Sequence, residues 1–243
     1  MSLDAPINEV QIAQPAQRVV TSLRTYQDSS TLILPWHGQT LVLTAERAVF
    51  WVEQRLLFFA DVHFGKAMHF RRAGIAVPSG QSAHDLARMH QLALHFQPLR
   101  LLILGDLMHA APSASEPWLA ALDAFKKTHA PMACQIIAGN HDRHRKGALS
   151  SWDWLIDAAE IGPFRFTHEP SSKPGFYSFA GHVHPCINLR MAAGNLRLPA
   201  YCFAENQALI PSFGSFTGGF SVNQRDYSRV FVVSDKVQEV SRR

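Results

Sequence analysis

The sequence has few cysteines, few charges and no long hydrophobic run. Cys134, Cys186 and Cys202 are its three cysteines, widely spaced and without a CxxC pair. An odd, sparse set argues against a disulfide framework and for a reducing compartment, and the three read as small buried hydrophobes. No apolar run approaches the ~20 residues of a membrane-spanning helix. The opening residues, MSLDAPINEV, carry neither a basic stretch nor an apolar core. No signal peptide is therefore expected, and the chain reads as cytoplasmic with no membrane partner. Internal repeats and low-complexity linkers are missing as well. The 243 residues suit one large domain or two small ones with a sizeable core. Charged residues make up 17% against 47% hydrophobic, an ordinary soluble globular composition, and a formal charge of +4 tolerates an anionic substrate without demonstrating one.

Histidine is plentiful: there are 13, and it is the commonest metal ligand. The surrounding pattern is α/β. RLLFFAD and LRLLILGD are continuous apolar runs ending in aspartate, and MACQIIAGN is a third such run. Runs of this kind predict central strands buried on both faces. Two helices are expected between them. In SGQSAHDLARMHQLALHF, Ala83, Leu86, Ala87, His90 and Leu94 follow helical spacing, and Ser82 with Asp85 resembles a capping box. In SEPWLAALDAFKKTHA, Ser115 suits a cap, Pro117 a first turn, and Trp118, Leu122 and Phe125 one inner face. Strand, helix, strand, helix, strand implies a parallel sheet. Residues 1 to about 30 read as an N-terminal arm or first edge strand. The second half is strand-rich, with AAGN as a hairpin turn. A single two- or three-layer α/β domain is the simplest reading, with no separate capping domain.

Buried parallel strands deliver functional residues at their carboxyl ends. Here the runs end in Asp61 and His63, in Asp106 and His109, in Asn140, His141 and Asp142, in His168, and in His182 and His184. Singly, each has a plainer explanation as a turn aspartate, turn asparagine or half-buried histidine. Together, at the same relative position on five strands, they predict a metal site. Carboxylate, imidazole and carboxamide without thiolate suit manganese, iron or zinc. Two such ions ~3.5–4 Å apart can clamp a phosphate and activate water between them. Asp106, in the middle of the series, is the natural bridge, and His141 is placed to protonate a leaving oxygen.

The ordered series DVH, GDLMH, GNHD, a lone His and GHVH resembles the calcineurin-like binuclear metallophosphoesterases from Asp61 to His184. That resemblance implies an αββα sandwich of two mixed sheets flanked by helices. It assigns Asp61, His63, Asp106 and His184 to one metal, with Asp106 bridging. Asn140, His168 and His182 complete the second, and two divalent ions, manganese first, would be held. It also makes His141 the catalytic histidine with Asp142 behind it, and a metal-bridging hydroxide the in-line nucleophile. His109 stands where many members carry an acidic residue; it either contacts the substrate or faces solvent. DVHFGKAMHFRRAGIAVPSG, GDLMH, FTHEP and PSFGSFTGG together are similar to the small bacterial ligase-associated DNA-damage-response endonucleases, from about Leu32 to Asp235. This implies a nucleic-acid phosphodiester, DNA before RNA, with DNA-repair proteins as partners.

Two basic clusters follow the motifs: Lys66, Arg71 and Arg72, then Arg143, Arg145 and Lys146. They suit phosphate contact or are solvated loops. Phe64, Phe70 and the phenylalanines of SFGSFTGGF stack bases or fill the core. Beside the nuclease reading stand two others: a phosphatase or phosphodiesterase for small nucleotides, and a non-catalytic scaffold, which normally loses the ligands kept here.

Overall fold

A computed structural model describes residues 26–113, 115–144, 147–191 and 194–241. Most of the expected N-terminal arm, Arg145, Lys146 and the Ala192–Ala193 part of the hairpin turn lie outside the described residues.

Seven strands form the first sheet in sequence order: β1 (Thr31–Trp36), β2 (Gln39–Thr44), β3 (Val49–Trp51), β4 (Leu56–Phe59), β5 (Arg100–Leu104), β6 (Ala133–Ile137) and β7 (Asp153–Leu155). β1 to β4 form an antiparallel meander, and β4 to β7 are parallel. Crossovers through helices α2 (Gln81–Phe96) and α3 (Pro117–Thr128) make the β4–β5–β6 pairing parallel, as the alternating pattern predicts. A short helix, α1 (Lys66–Arg72), follows β4 directly.

The second sheet contains β8 (Ala158–Ile161), β9 (Phe164–Thr167), β10 (Tyr177–Ala180), β11 (Pro185–Met191), β12 (Gly194–Phe203), β13 (Gln207–Leu209), β14 (Phe220–Ser221), β15 (Arg229–Val233) and β16 (Val237–Glu239). β10 pairs in parallel with both β9 and β13, whereas β12 pairs antiparallel with β11, β13 and β15. Both sheets are therefore mixed.

The sheets pack face to face over an aromatic core. Trp51 and Phe58 come from the first, and Phe164, Phe166, Phe179, Tyr201 and Phe203 from the second. The Phe58 ring lies 4.9 Å from Phe179 and 5.1 Å from Phe166, both edge-on. Burying each such ring contributes about 1.5–3 kcal/mol. On the other side of the first sheet, Met89, Leu92 and Phe96 of α2 and Trp118, Leu122 and Phe125 of α3 cover Phe59, Leu101, Ile103 and Ile136. A third cluster, including Ala200, Cys202, Leu209, Val230 and Val232, lies on the outer face of the second sheet. The sandwich of two mixed sheets is the one the resemblance implies; among the described residues, helices α2 and α3 cover the first sheet.

Three local expectations are corrected. The buried stripe of α2 is Asp85, Arg88, Met89, Leu92, Ala93 and Phe96, whereas Ala83, Ala87 and Leu94 are exposed. The stripe was misassigned because two of its members are charged. Arg88 donates to Asp85 (2.9 Å), to the Phe213 carbonyl (2.7 Å) and to Glu46, and that network makes burial affordable. Second, Ser82 and Asp85 form no capping box. Gly80 caps α2, the Ser82 hydroxyl accepts from the Gly65 N–H, and Asp85 accepts from Ser215. Third, Glu116 rather than Ser115 is the N-cap of α3, with Pro117 in its first turn.

Candidate metal centre

Every ligand candidate lies just past a strand end. Asp61 and His63 follow β4, Asp106 and His109 follow β5, Asn140, His141 and Asp142 follow β6, and His168 follows β9. His182 and His184 lie in the turn between β10 and β11. The ends belong to two sheets, not to the edge of one, and the crevice forms where the packed sheets open. Backbone bonds tie the loops together: Asp61 N to Gly105 O (3.1 Å), His63 N to Asp106 O (2.9 Å) and Gly181 N to His168 O (3.1 Å).

Asp61, His63, Asp106, His182 and His184 all have positive φ, between 50° and 65°. A non-glycine residue in this region is strained by about 1–3 kcal/mol, and such residues cluster at functional sites. The conformation turns consecutive loop side chains inward. Close packing does the rest. A Cβ at Gly139 would overlap the carboxylate and backbone nitrogen of Asp106, and one at Gly181 would lie 2.6 Å from Asp61 Oδ2.

The side chains form neighbouring groups. Asp61, His63 and His184 make one; Asp106, His168 and His182 make another; His63, His109 and His141 make a third. His184 Nε2 lies 3.4 Å from Asp61 Oδ1. His182 Nδ1 lies 3.1 Å from His168 Nε2, which is 2.9 Å from Asn140 Oδ1. Asp106 stands between the first two groups: Oδ2 is 3.8 Å from His63 Nε2 and Oδ1 is 3.6 Å from His168 Nε2.

The electrostatics suit a cation. Burial, helped by the charge of His184, pushes the His63 imidazole down to about 2, so it stays neutral. Both its ring nitrogens are buried without a hydrogen-bond partner, as is Asp61 Oδ1. Buried lone pairs of this kind are costly unless something accepts them, and a divalent cation does so. Burial raises the Asp106 carboxyl despite the opposing charge of His168. Burial lowers His184, but the neighbouring Asp61 carboxylate outweighs it and raises the ring. The residues therefore fit a binuclear centre of hard and borderline ligands.

His141 is held by its Nδ1–H, which donates to the His109 carbonyl (2.7 Å). Its Nε2 lies 4.0 Å from Asp106 Oδ2 and its side chain is 36% exposed. Asp142 is fully buried and accepts from the backbone N–H of Gly139 (3.0 Å), Met108 (3.0 Å) and Leu107 (3.3 Å). It thus joins the two loops that carry Asp106 and His141. Burial pushes its carboxyl up to about 6 against those N–H bonds.

The substrate candidates divide. Lys66 adjoins the centre, where burial lowers its ammonium and Asp106 opposes the shift. Arg143 is exposed and lines a cavity of about 650 Å³ with Asn140 and His168. The His109 ring stacks on His141 at 5.0 Å and on Phe70 at 6.0 Å, and burial pushes it down to about 4. Arg71 and Arg72 are engaged elsewhere. Arg71 donates to the Pro78 carbonyl (2.8 Å) and Arg72 pairs with Glu116 (2.9 Å), so both pin α1 to its surroundings. Phe64 and Phe213 are core residues, whereas Phe70 and Phe216 pair at the rim, 6.1 Å apart.

Sequence reasoning missed two parts of the site. The PSFGSFTGG loop supports Asp61: the Ser212 hydroxyl and the Gly214 N–H both donate to its carbonyl, at 2.7 Å and 3.1 Å. Arg47 and Arg197 line a second cavity with His184. Arg47 sits in the turn between β2 and β3 and Arg197 in a hairpin strand, and neither adjoins a motif.

Two mixed sheets with an aspartate–histidine centre at their open end define a metal-dependent phosphoesterase. A calcineurin-like phosphoesterase family model (Metallophos) matches residues 54–201, more than half of the chain, and the chain belongs to that family. Nuclease MPE from Pseudomonas putida is a similar solved structure, with a TM-score of 0.76 and 32% identity, covering 86% of this chain and 100% of that one. Yfce, a phosphoesterase from E. coli, shares 15% identity at a TM-score of 0.40 over 74% of this chain and 87% of that one, too remote to carry an argument. A comparison with curated protein sequences yields no match.

Proposed function

We infer that the protein hydrolyses phosphodiester bonds in nucleic acid. The observation that carries the metal chemistry is Asp106, which presents one carboxylate oxygen to each of two ligand groups. Asp61, His63 and His184 would hold one divalent ion with Asp106, and His168, His182 and Asn140 the other. When bound, the ions would neutralise the phosphate and lower the pKa of water at the site.

The chain's own residues supply the remainder. Because His141 Nδ1 faces a carbonyl, it must carry the proton. Nε2, 4.0 Å from Asp106 Oδ2, then faces the centre and, protonated, can deliver a proton to the leaving oxygen. Asp142 positions both loops through backbone bonds. Lys66 and Arg143 add positive charge beside the centre, and the Phe70–Phe216 pair offers a surface on which a base can stack. Likeness to nuclease MPE favours a nucleic acid, with DNA and manganese as the first choices to test. The cavity beside Asn140 also supports a second reading, a small nucleotide, because about 650 Å³ is within the usual range for small-molecule sites.

The test is cleavage of a single-stranded oligonucleotide and of an aryl phosphodiester by manganese-loaded protein. Cleavage of both, abolished in Asp106→Asn, supports the reading. Cleavage of small phosphate esters alone supports the second.

A further inference from the structure

The second cavity, on the His184 side of the centre, borders the loop that supports Asp61 and His184, and no carboxylate lines it. It measures about 290 Å³ and is lined by Arg47, Arg197, Ser212, Thr217, Gly218 and Gly219 beside His184. That is just below the usual range for small-molecule sites, so it suits one small group. Both arginines line it together with Cys186. Arg47 is partly buried, and burial pushes it down to about 10. It donates to the Gly214 carbonyl (3.3 Å), but among the described residues neither Arg47 nor Arg197 forms an ion pair with a carboxylate. Asp85 and Glu46 act on Arg47 only from beyond ion-pair distance, so an anion in the cavity would stabilise its partly buried guanidinium further.

The two cavities flank the ligand groups on different sides, one beside Asn140 and His168 and the other beside His184. A strand with one phosphate at the centre and a sugar or base beside Asn140 would carry its next phosphate toward His184. Building on the nucleic-acid reading above, we propose that Arg47 and Arg197 bind the phosphate adjacent to the scissile one. The substrate is then a polyphosphodiester with two consecutive phosphates, and the site is a phosphate subsite outside the reacting bond. Arg47 lies next to Glu46, which pairs with Arg88, and Arg88 binds the carbonyl of Phe213 in the loop that lines the cavity. The turn and the loop are thus held together from behind.

The experiment compares wild type, Arg47→Ala and Arg197→Ala, loaded with manganese, on an aryl phosphodiester with one phosphate and on an oligonucleotide. On the oligonucleotide each variant should lose about 10- to 100-fold in kcat/KM, the size of a charged hydrogen bond. On the aryl diester it should stay within about twofold. The slope of log kcat/KM against log salt should fall by about one for each arginine removed. Arg197 is exposed, so its variant keeps the test valid if Arg47→Ala folds poorly. Equal losses on both substrates, or no loss on the oligonucleotide, would overturn the subsite alone. Wild-type protein that cleaves the aryl diester and no oligonucleotide would overturn the nucleic-acid reading itself.

Discussion

His182 and His184, two residues apart, face different ligand groups. His184 Nε2 lies 3.4 Å from Asp61 Oδ1, and His182 Nδ1 lies 3.1 Å from His168 Nε2. Strand alternation would have sent both rings to one side. β10 ends at Ala180, however, and both histidines adopt positive φ, at 65° and 51°, which removes the alternation. The pair therefore spans the crevice. His182→Ala and His184→Ala should each deplete one metal position and leave the other filled. Anomalous diffraction from manganese-loaded crystals would show this; loss from the same position in both variants contradicts the assignment.

Gly139→Ala should be among the most damaging small substitutions. The added methyl overlaps Asp106 while leaving every ligand side chain in the sequence. Strain from overpacking of this kind costs about 1–3 kcal/mol. A lowered melting temperature with reduced metal content is expected, and unchanged values for both would show that the loop yields freely.

His141→Gln should leave metal content intact and lower kcat on an alkyl-type leaving group by about 10²- to 10⁴-fold, the usual range for general acid catalysis. The loss should shrink on an aryl leaving group, which needs little protonation. A uniform loss across leaving groups would argue for charge stabilisation instead.

Much of this was legible in the sequence, and the unread parts share a physical cause. β4, β5 and β6 announced themselves because strands buried on both faces must be apolar throughout. The ligand series was legible because each member follows such a run. The face of α2 was not, because Asp85 and Arg88 are buried through long-range partners that no periodicity reveals. α1 was not foreseen either: it is a short helix pinned through Arg71 and Arg72, residues that as a basic run suggested phosphate contact. Likewise, the role of the PSFGSFTGG loop depends on a hydroxyl and an amide meeting the Asp61 carbonyl from ~150 residues away.

Away from the centre, His90 Nδ1 and His129 Nε2 lie 2.9 Å apart where α2 meets α3. Burial, then the charge of His90, lowers His129 below its ordinary value. A depressed imidazole resists protonation in the folded state, so the unfolded chain binds more protons below about pH 6.5. The stabilisation is present above that value and is lost as pH falls. His129→Gln should flatten the decline in stability as pH falls below about 6.5, measured by denaturant unfolding. An unchanged pH profile would show that this pair does not contribute.

The most direct test is metal content measured together with phosphodiester turnover, for wild type and Asp106→Asn after reconstitution with manganese. Two bound ions per chain and active turnover in wild type, with metal depleted and activity lost in the variant, is the predicted result for a carboxylate serving two positions. Full activity in Asp106→Asn, or an active wild type that holds no divalent ion, would contradict the binuclear account.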